Sequence, residues 1–391
     1  MVLTTPLRWM EVAEITFWIA IGFSIYIQVG YLIILKLLYF FKSRYLHKID
    51  DNYTPKVSII IASYNEENTI DQKIENTIQI KYPREKLEII VFSDASTDRT
   101  DEIVRSYEPQ GIRLIRVEGR KGKTYCQDVA VQQATGDILI FTDADAMLEP
   151  DAVRQLVRHF VDPSVGCVAA QVRYVDEGGE SWYQRYETVL FKLESAITSP
   201  TGVFGPLYAL RRDLHEPIPP QMQEDLVRPL LVVYRRHRIV FEPEAIAWLH
   251  STASVEGERR RRVRMVAGAV YSLLYYAPMR ALFNPFRYGF FALQMWSHRM
   301  LRWLHGVFLA LMLASNLVLV GENMLYLALG VMQLTGYTAA LVGYLIEKHG
   351  QRRACFPFHF AYYYLSAQIA MLQGFWKGLR GSPFTTWKPI R

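Results

Sequence analysis

"ILIFTDADAML", residues 138–148, is an apolar run that ends in two aspartates, Asp143 and Asp145, separated only by Ala144. Ile138 to Phe141 read as a buried strand. In an extended segment, side chains two apart point to one face, so the two carboxylates repel unless a cation sits between them. The same grammar recurs upstream. "VSIIIAS" (57–63), "LEIIVFS" (87–93) and "IRLIRV" (112–117) read as strands, and helical patterns follow at Glu67–Ile80, from about Asp98 and from about Lys123. Strand–helix alternation predicts a mainly parallel α/β sheet, whose ligands bind beyond the carboxyl ends of the strands. The candidate polar residues lie there: Ser63, Tyr64, Asn65 and Glu66 after the first strand, Ser93 and Asp94 after the second, Asp143 and Asp145 after the fourth. That convergence points to a binding edge more strongly than any single motif.

Other stretches read two ways. In "SDASTDRT" (93–100), Asp94 and Asp98 fit helix capping as well as ligand binding, and capping is the expectation for Asp98. "GRKGKT" (119–124) lacks the first glycine of a phosphate-binding loop, because Val117 stands where it is required. Lys123, at a helix start, is nonetheless placed to meet phosphate.

Around this domain the composition changes. The 391-residue chain is 51% hydrophobic and 21% charged, yet Ile15–Leu35, Trp303–Val320, Met324–Ile346 and Phe356–Trp376 hold no charged residue. Runs of that length suit a bilayer core. The first reads as a retained anchor, since no small-residue cleavage site precedes Lys36–Lys48. The excess of Lys36, Lys42, Arg44 and Lys48 after this span orients the soluble domain to the cytosol. Phe356–Trp376 carries glutamines and tyrosines and reads as re-entrant or interfacial, with the basic tail from Lys377 cytosolic. Three separated cysteines fit a reducing compartment. The net charge of +6 owes much to "RRRRVR" (259–264), which suggests anionic lipid or a phosphorylated substrate and not nucleic acid.

Jointly, "IIIASYNEENTI", "VFSDASTDRT", "KGKTYCQDVA", "FTDADAM", "QEDLVRPLL" and "RRRVRM" resemble the inverting family 2 glycosyltransferases, above all the membrane-embedded hyaluronan, chitin, cellulose and poly-N-acetylglucosamine synthases. The resemblance runs from about Pro55 to Met265. It implies a cytosolic α/β domain of GT-A fold (a Rossmann-like, mainly parallel sheet) over residues 49–258. Before it would lie a transmembrane anchor (1–48, span 15–35). Basic and amphipathic interfacial helices (259–302) and an α-helical membrane region (303–391) would follow. It also implies that Ser63, Tyr64, Asn65, Glu66, Asp94, Lys123, Asp143, Arg261 and Arg264 bind a nucleotide sugar. Tyr64, Asn65 and Glu66 would line the nucleoside pocket, and Asp94 would accept from the base.

Asp143 and Asp145 match the family's DxD motif. Asp145 would hold Mg²⁺ or Mn²⁺, hard ions suited to carboxylate oxygen. "QEDLV" (223–227) is similar to the family's TED motif and offers Asp225 as catalytic base with Glu224 in support, although acids at a helix start fit simple dipole compensation equally. The family's Q-x-x-R-W signature becomes Arg261, Arg264 and Met265, which removes an aromatic surface for a sugar ring. The implied enzyme is an inverting hexosyltransferase of the cell membrane, taking a UDP-sugar and building a polysaccharide that crosses the membrane. The alternative is transfer of one sugar to a lipid acceptor. Membrane lipids and homo-oligomer or export partners are the other expected contacts.

Overall fold

The computed structural model describes residues 5–41, 47–175, 179–250, 255–350 and 354–381. Of the expected cytosolic tail from Lys377, the part beyond residue 381 lies outside the described residues. The chain forms two compact units, Leu35–Ala253 with Gly268–Met295 and Gly381–Arg391, and Met1–Ile34 with Ser254–Ala267 and Trp296–Arg380.

The larger unit is built on one eight-stranded sheet. Its strands are β1 (Val57–Ser63), β2 (Leu87–Asp94), β3 (Ile112–Val117), β4 (Ile138–Asp143), β5 (Met147–Leu148), β6 (Val165–Tyr174), β7 (Leu207–Arg211) and β8 (Arg238–Leu249), in the order β3-β2-β1-β4-β7-β6-β8-β5. Strands β1 to β4 pair in parallel, while β7 runs antiparallel to β4 and β6. Every residue of β1 is buried, as a strand covered on both faces requires. Its buried Ser58 donates to Glu88 Oε2 at 2.5 Å and accepts from Gly136 N at 2.8 Å. A Cβ at Gly136 would collide with the backbone of Ser58, so that approach needs glycine.

Register places the functional edge. Ser63 pairs with Ser93, and Asp143 with Ala62, so the three polar strand ends finish side by side as the sequence predicts. Helices α1 (Ile70–Ile78), α2 (Thr100–Ser106), α3 (Lys123–Gln133) and α4 (Ala152–Val157) join the strands, and α5 (Gly179–Ile197) and α6 (Glu224–Tyr234) follow. The later half of the helix Val255–Tyr275 belongs to this unit too. Its Ser272 Oγ accepts from Gln223 N at 3.0 Å and so seats the start of α6.

The smaller unit is helical. Arg8–Phe41 and Met324–His349 are long and apolar enough to cross a membrane, and Phe290–Leu301 with His305–Leu319 would make a third span if that pair, bent by 61°, is one. Phe356–Trp376 falls mostly within the helix Phe358–Leu379. A Cβ at its Gly374 would lie 2.7 Å from Val266 Cβ and 2.8 Å from Val263 O, so this helix packs closely on the start of Val255–Tyr275. The arginine run is largely paired within its own helix. Arg259 meets Glu256 at 2.8 Å, Arg261 meets Glu258 at 3.0 Å, and the buried Arg262 meets Glu258 at 2.7 Å and Tyr363 Oη at 3.0 Å. Arg264 lies half-buried on the same helix.

Candidate active site

Asp143 ends β4, and Lys123 opens α3 directly after Gly122, whose φ of +90° sets the turn. Lys123 Nζ lies 2.7 Å from Asp143 Oδ1 and 3.0 Å from Glu224 Oε1. One ammonium therefore ties the Asp143–Asp145 loop to the acidic start of α6. Burial opposes that charge, but Asp143 and Glu224 outweigh it and hold Lys123 well above the ordinary lysine value. For Glu224, burial is likewise overcome, here by Lys123 and Arg228, and its pKa falls.

Asp225 behaves in the opposite way. Burial and the neighbouring Glu224 charge push it up to about 6, although Lys123 works against the shift. Its Oδ1 is buried and has no hydrogen-bond partner among the described residues. A buried, unpaired acceptor is costly for a fold, and this one lies on the carboxylate next to the Lys123 bridge.

Behind the bridge stands Arg228, 1% exposed. Its guanidinium donates to Asp128 Oδ1 at 2.6 Å, to Thr124 O at 3.1 Å and to Gln127. Those bonds clamp α6 against α3 and fix Lys123 relative to Glu224. Asp145 sits at the exposed side of the loop, where crowding by protein and the Asp143 charge raise its pKa.

Four carboxylates (Asp143, Asp145, Glu224, Asp225) thus gather around Lys123, with the buried Lys73 beneath the Asp143–Asp145 loop. Ionised, they would leave a negative excess that a divalent cation would balance. An all-oxygen donor set with open positions at the Asp145 side fits Mg²⁺ or Mn²⁺, whose remaining ligands come from water and phosphate. No cluster of three or more metal-ligating side chains exists among the described residues, so protein alone does not complete such a sphere.

The first and second strand ends are stitched together. Asn65, at φ +54°, accepts from Thr97 N at 2.8 Å, and Glu66 N donates to Thr100 Oγ1 at 2.8 Å. Ser63 is turned inward and donates to Phe92 O at 2.7 Å, which serves the sheet. Asp94 accepts from Lys121 N at 2.8 Å, Gly122 N at 3.1 Å and Arg120 Nη1 at 3.3 Å. Arg120 also lies 3.2 Å from the centre of the Tyr64 ring. Asp98 accepts from Thr100 N at 3.0 Å and Glu67 N at 3.1 Å, a structural role, although the N-cap position itself falls to Arg99 and not to Asp98. Arg261 and Arg264 belong to the other unit.

With this geometry in view, residues 58–218 match the family model "Glycosyl transferase family 2". Over those residues the chain is similar to the family 2 glycosyl transferases. Poly-beta-1,6-N-acetyl-D-glucosamine synthase of Staphylococcus aureus is 26% identical to it over 233 residues, which are 56% of this chain and 55% of that protein. A probable glycosyltransferase of Bacillus subtilis is 28% identical over 242 residues, 56% of each chain. The chain thus spans about half the length of the curated relatives it matches. A solved mannosyltransferase from Pyrobaculum calidifontis, in complex with GDP-Man and Mn²⁺, aligns with 95% of this chain and 99% of its own, with a TM-score of 0.73 at 22% identity. That likeness establishes the Rossmann-like GT-A fold.

Within the matched residues, sequence patterns had not marked Gly205, which precedes β7. A Cβ there would press on the Asp225 carboxylate. Gly205→Ala should displace Asp225 and lower turnover by about a hundredfold, the scale of an ångström's misplacement. Donor affinity should change little, and steady-state kinetics beside nucleotide titration check both.

Proposed function

We propose that this protein is a membrane-anchored inverting glycosyltransferase that moves a sugar from a nucleotide diphosphate donor onto an acceptor hydroxyl. The observation that carries the reading is the unpaired Asp225 Oδ1 on a carboxylate raised to about 6, beside the Lys123 bridge to Asp143. A general base is most effective when its pKa approaches the working pH. Asp225 takes the acceptor proton as the acceptor oxygen bonds to the anomeric carbon. The bond from that carbon to the diphosphate oxygen breaks on the opposite face, and its electron pair leaves with the diphosphate.

Glu224, held by Lys123, keeps a fixed negative charge beside Asp225 and so favours its proton uptake. Lys123 would meet the departing phosphate oxygens, with Asp143 orienting it. Mg²⁺ or Mn²⁺, held by Asp145 with Asp143, would neutralise charge on the leaving diphosphate. Tyr64, Asn65, Glu66 and Asp94 are assigned to the nucleoside, with Ser63 beneath them.

The relatives named as poly-N-acetylglucosamine synthases support a growing polysaccharide as acceptor, and the donor is proposed to be a UDP-sugar. A second reading, transfer of one sugar to a membrane lipid, is favoured by Met265, whose exposed thioether stands where the polymer synthases carry tryptophan. The apolar helices and the flanking basic residues support a cell-membrane location with the sheet unit cytosolic.

The test is incubation of the full-length protein with Mn²⁺ and radiolabelled UDP-N-acetylglucosamine, UDP-glucose or GDP-mannose, separating polymeric from lipid-soluble product. One donor should label polymer with inverted anomeric configuration. Label confined to the lipid fraction would establish the second reading. Absence of both transfer and metal-dependent donor hydrolysis with every donor would refute the enzymatic one.

A further inference from the structure

Lys73 is 0% exposed, an unusual place for an ammonium. It lies on α1, and its Nζ donates to Thr142 Oγ1 at 2.9 Å and to Ala146 O. Those two acceptors flank Asp143–Asp145 on either side. Asn76 is three residues on, on the same face of the helix. It grips the far end of the turn, with Nδ2 donating to Leu148 O at 2.9 Å and Oδ1 accepting from Leu148 N at 2.8 Å. Ala144 and Ala146, both buried, let the loop descend onto this face.

We propose that Lys73 is a positioning residue for the divalent-cation site: it braces both shoulders of the Asp143–Asp145 loop from beneath, so that the two carboxylates are held ready for the ion. The inference rests on the reading of these aspartates as the metal site. Burial pushes Lys73 down to about 7, with Asp143 and Asp145 opposing the shift. The brace does not depend on the outcome, because amine and ammonium both retain N–H donors. The loop's own turn bond, Ala146 N donating to Asp143 O at 3.3 Å, is long, and holding two like-charged carboxylates at this spacing calls for a further constraint. A buried donor reaching both flanks supplies that constraint, as partners behind a metal ligand do elsewhere.

The test uses the full-length protein in detergent, with Mn²⁺ titrated by electron paramagnetic resonance in the presence of UDP and, in parallel, GDP. Lys73→Met should weaken Mn²⁺ binding by about ten- to a hundredfold. Thr142→Val, which keeps the lysine and removes one acceptor, should weaken it by a smaller factor. Lys81→Met removes only the exposed pair with Asp151 and should leave it unchanged.

If Lys73→Met fails to fold, Thr142→Val decides alone: weaker Mn²⁺ binding supports the brace, and wild-type affinity overturns it. Unchanged or tighter Mn²⁺ binding in Lys73→Met would also overturn it, tighter binding marking the lysine as merely a competing charge. A wild-type protein that binds no Mn²⁺ with either nucleotide would remove the metal-site reading, and the inference with it.

Discussion

Asp225→Asn is expected to lower turnover by about two to four orders of magnitude, the usual contribution of a positioned base, while donor affinity stays near that of the wild type. The amide keeps the shape of the side chain but cannot take the acceptor proton. In the wild-type protein, kcat/KM should fall as pH drops through about 6, because the raised pKa leaves Asp225 protonated below that point. The sign for stability runs the other way. A carboxyl whose folded pKa exceeds its ordinary value is penalised once ionised, so the penalty applies at pH 8 and disappears in acid. Asp225→Asn should therefore melt at pH 8 no lower than the wild type, which separates loss of chemistry from loss of fold. A joint fall in turnover, donor affinity and melting temperature would make Asp225 a structural residue.

Asp145→Asn should act on the other half of the site. The neutral amide loses the charge that holds a divalent ion. Mn²⁺-dependent nucleotide binding should weaken by more than about a hundredfold, beyond the effect typical of an outer-shell partner. Lys123 remains bonded to Asp143, so nucleotide binding without metal should persist. Titrating Mn²⁺ against nucleotide affinity checks this. Wild-type metal dependence in the variant would take Asp145 out of the ion's coordination.

Local pattern was enough for much of the parallel half of the sheet. β1 and β3 fall at the residues where their apolar runs begin and end, and β2 extends one residue further, to Asp94. Helix α1 is shorter than Glu67–Ile80 because Glu66 O collects the first turn and Gln79 ends the last. β6 and β8 were not legible in the same way. β8 carries Glu242, buried in bonds to His159 at 2.6 Å and Arg158 at 2.7 Å, and its pairing with β6 shifts register twice. A charge inside a strand interrupts the pattern that reveals strands, and the partners that make it tolerable are remote in sequence.

The same distinction governs the site. The sequence by itself determined that carboxylates and amides would meet at one edge, because parallel strands in register end together. It could not show what controls those carboxylates. Lys123 reaches Glu224, Lys73 reaches a loop 69 residues away, and Arg228 joins α6 to Asp128 across 100 residues. Gly205 leaves room for Asp225 from a loop that carries no charge of its own. A lysine at position 73, on the buried stripe of an amphipathic helix beside Ile70, Ile74 and Thr77, was the one local sign of this arrangement. The rest was decided by tertiary structure, since pKa and hydrogen-bond demand depend on burial and on charges brought close only when the chain has folded.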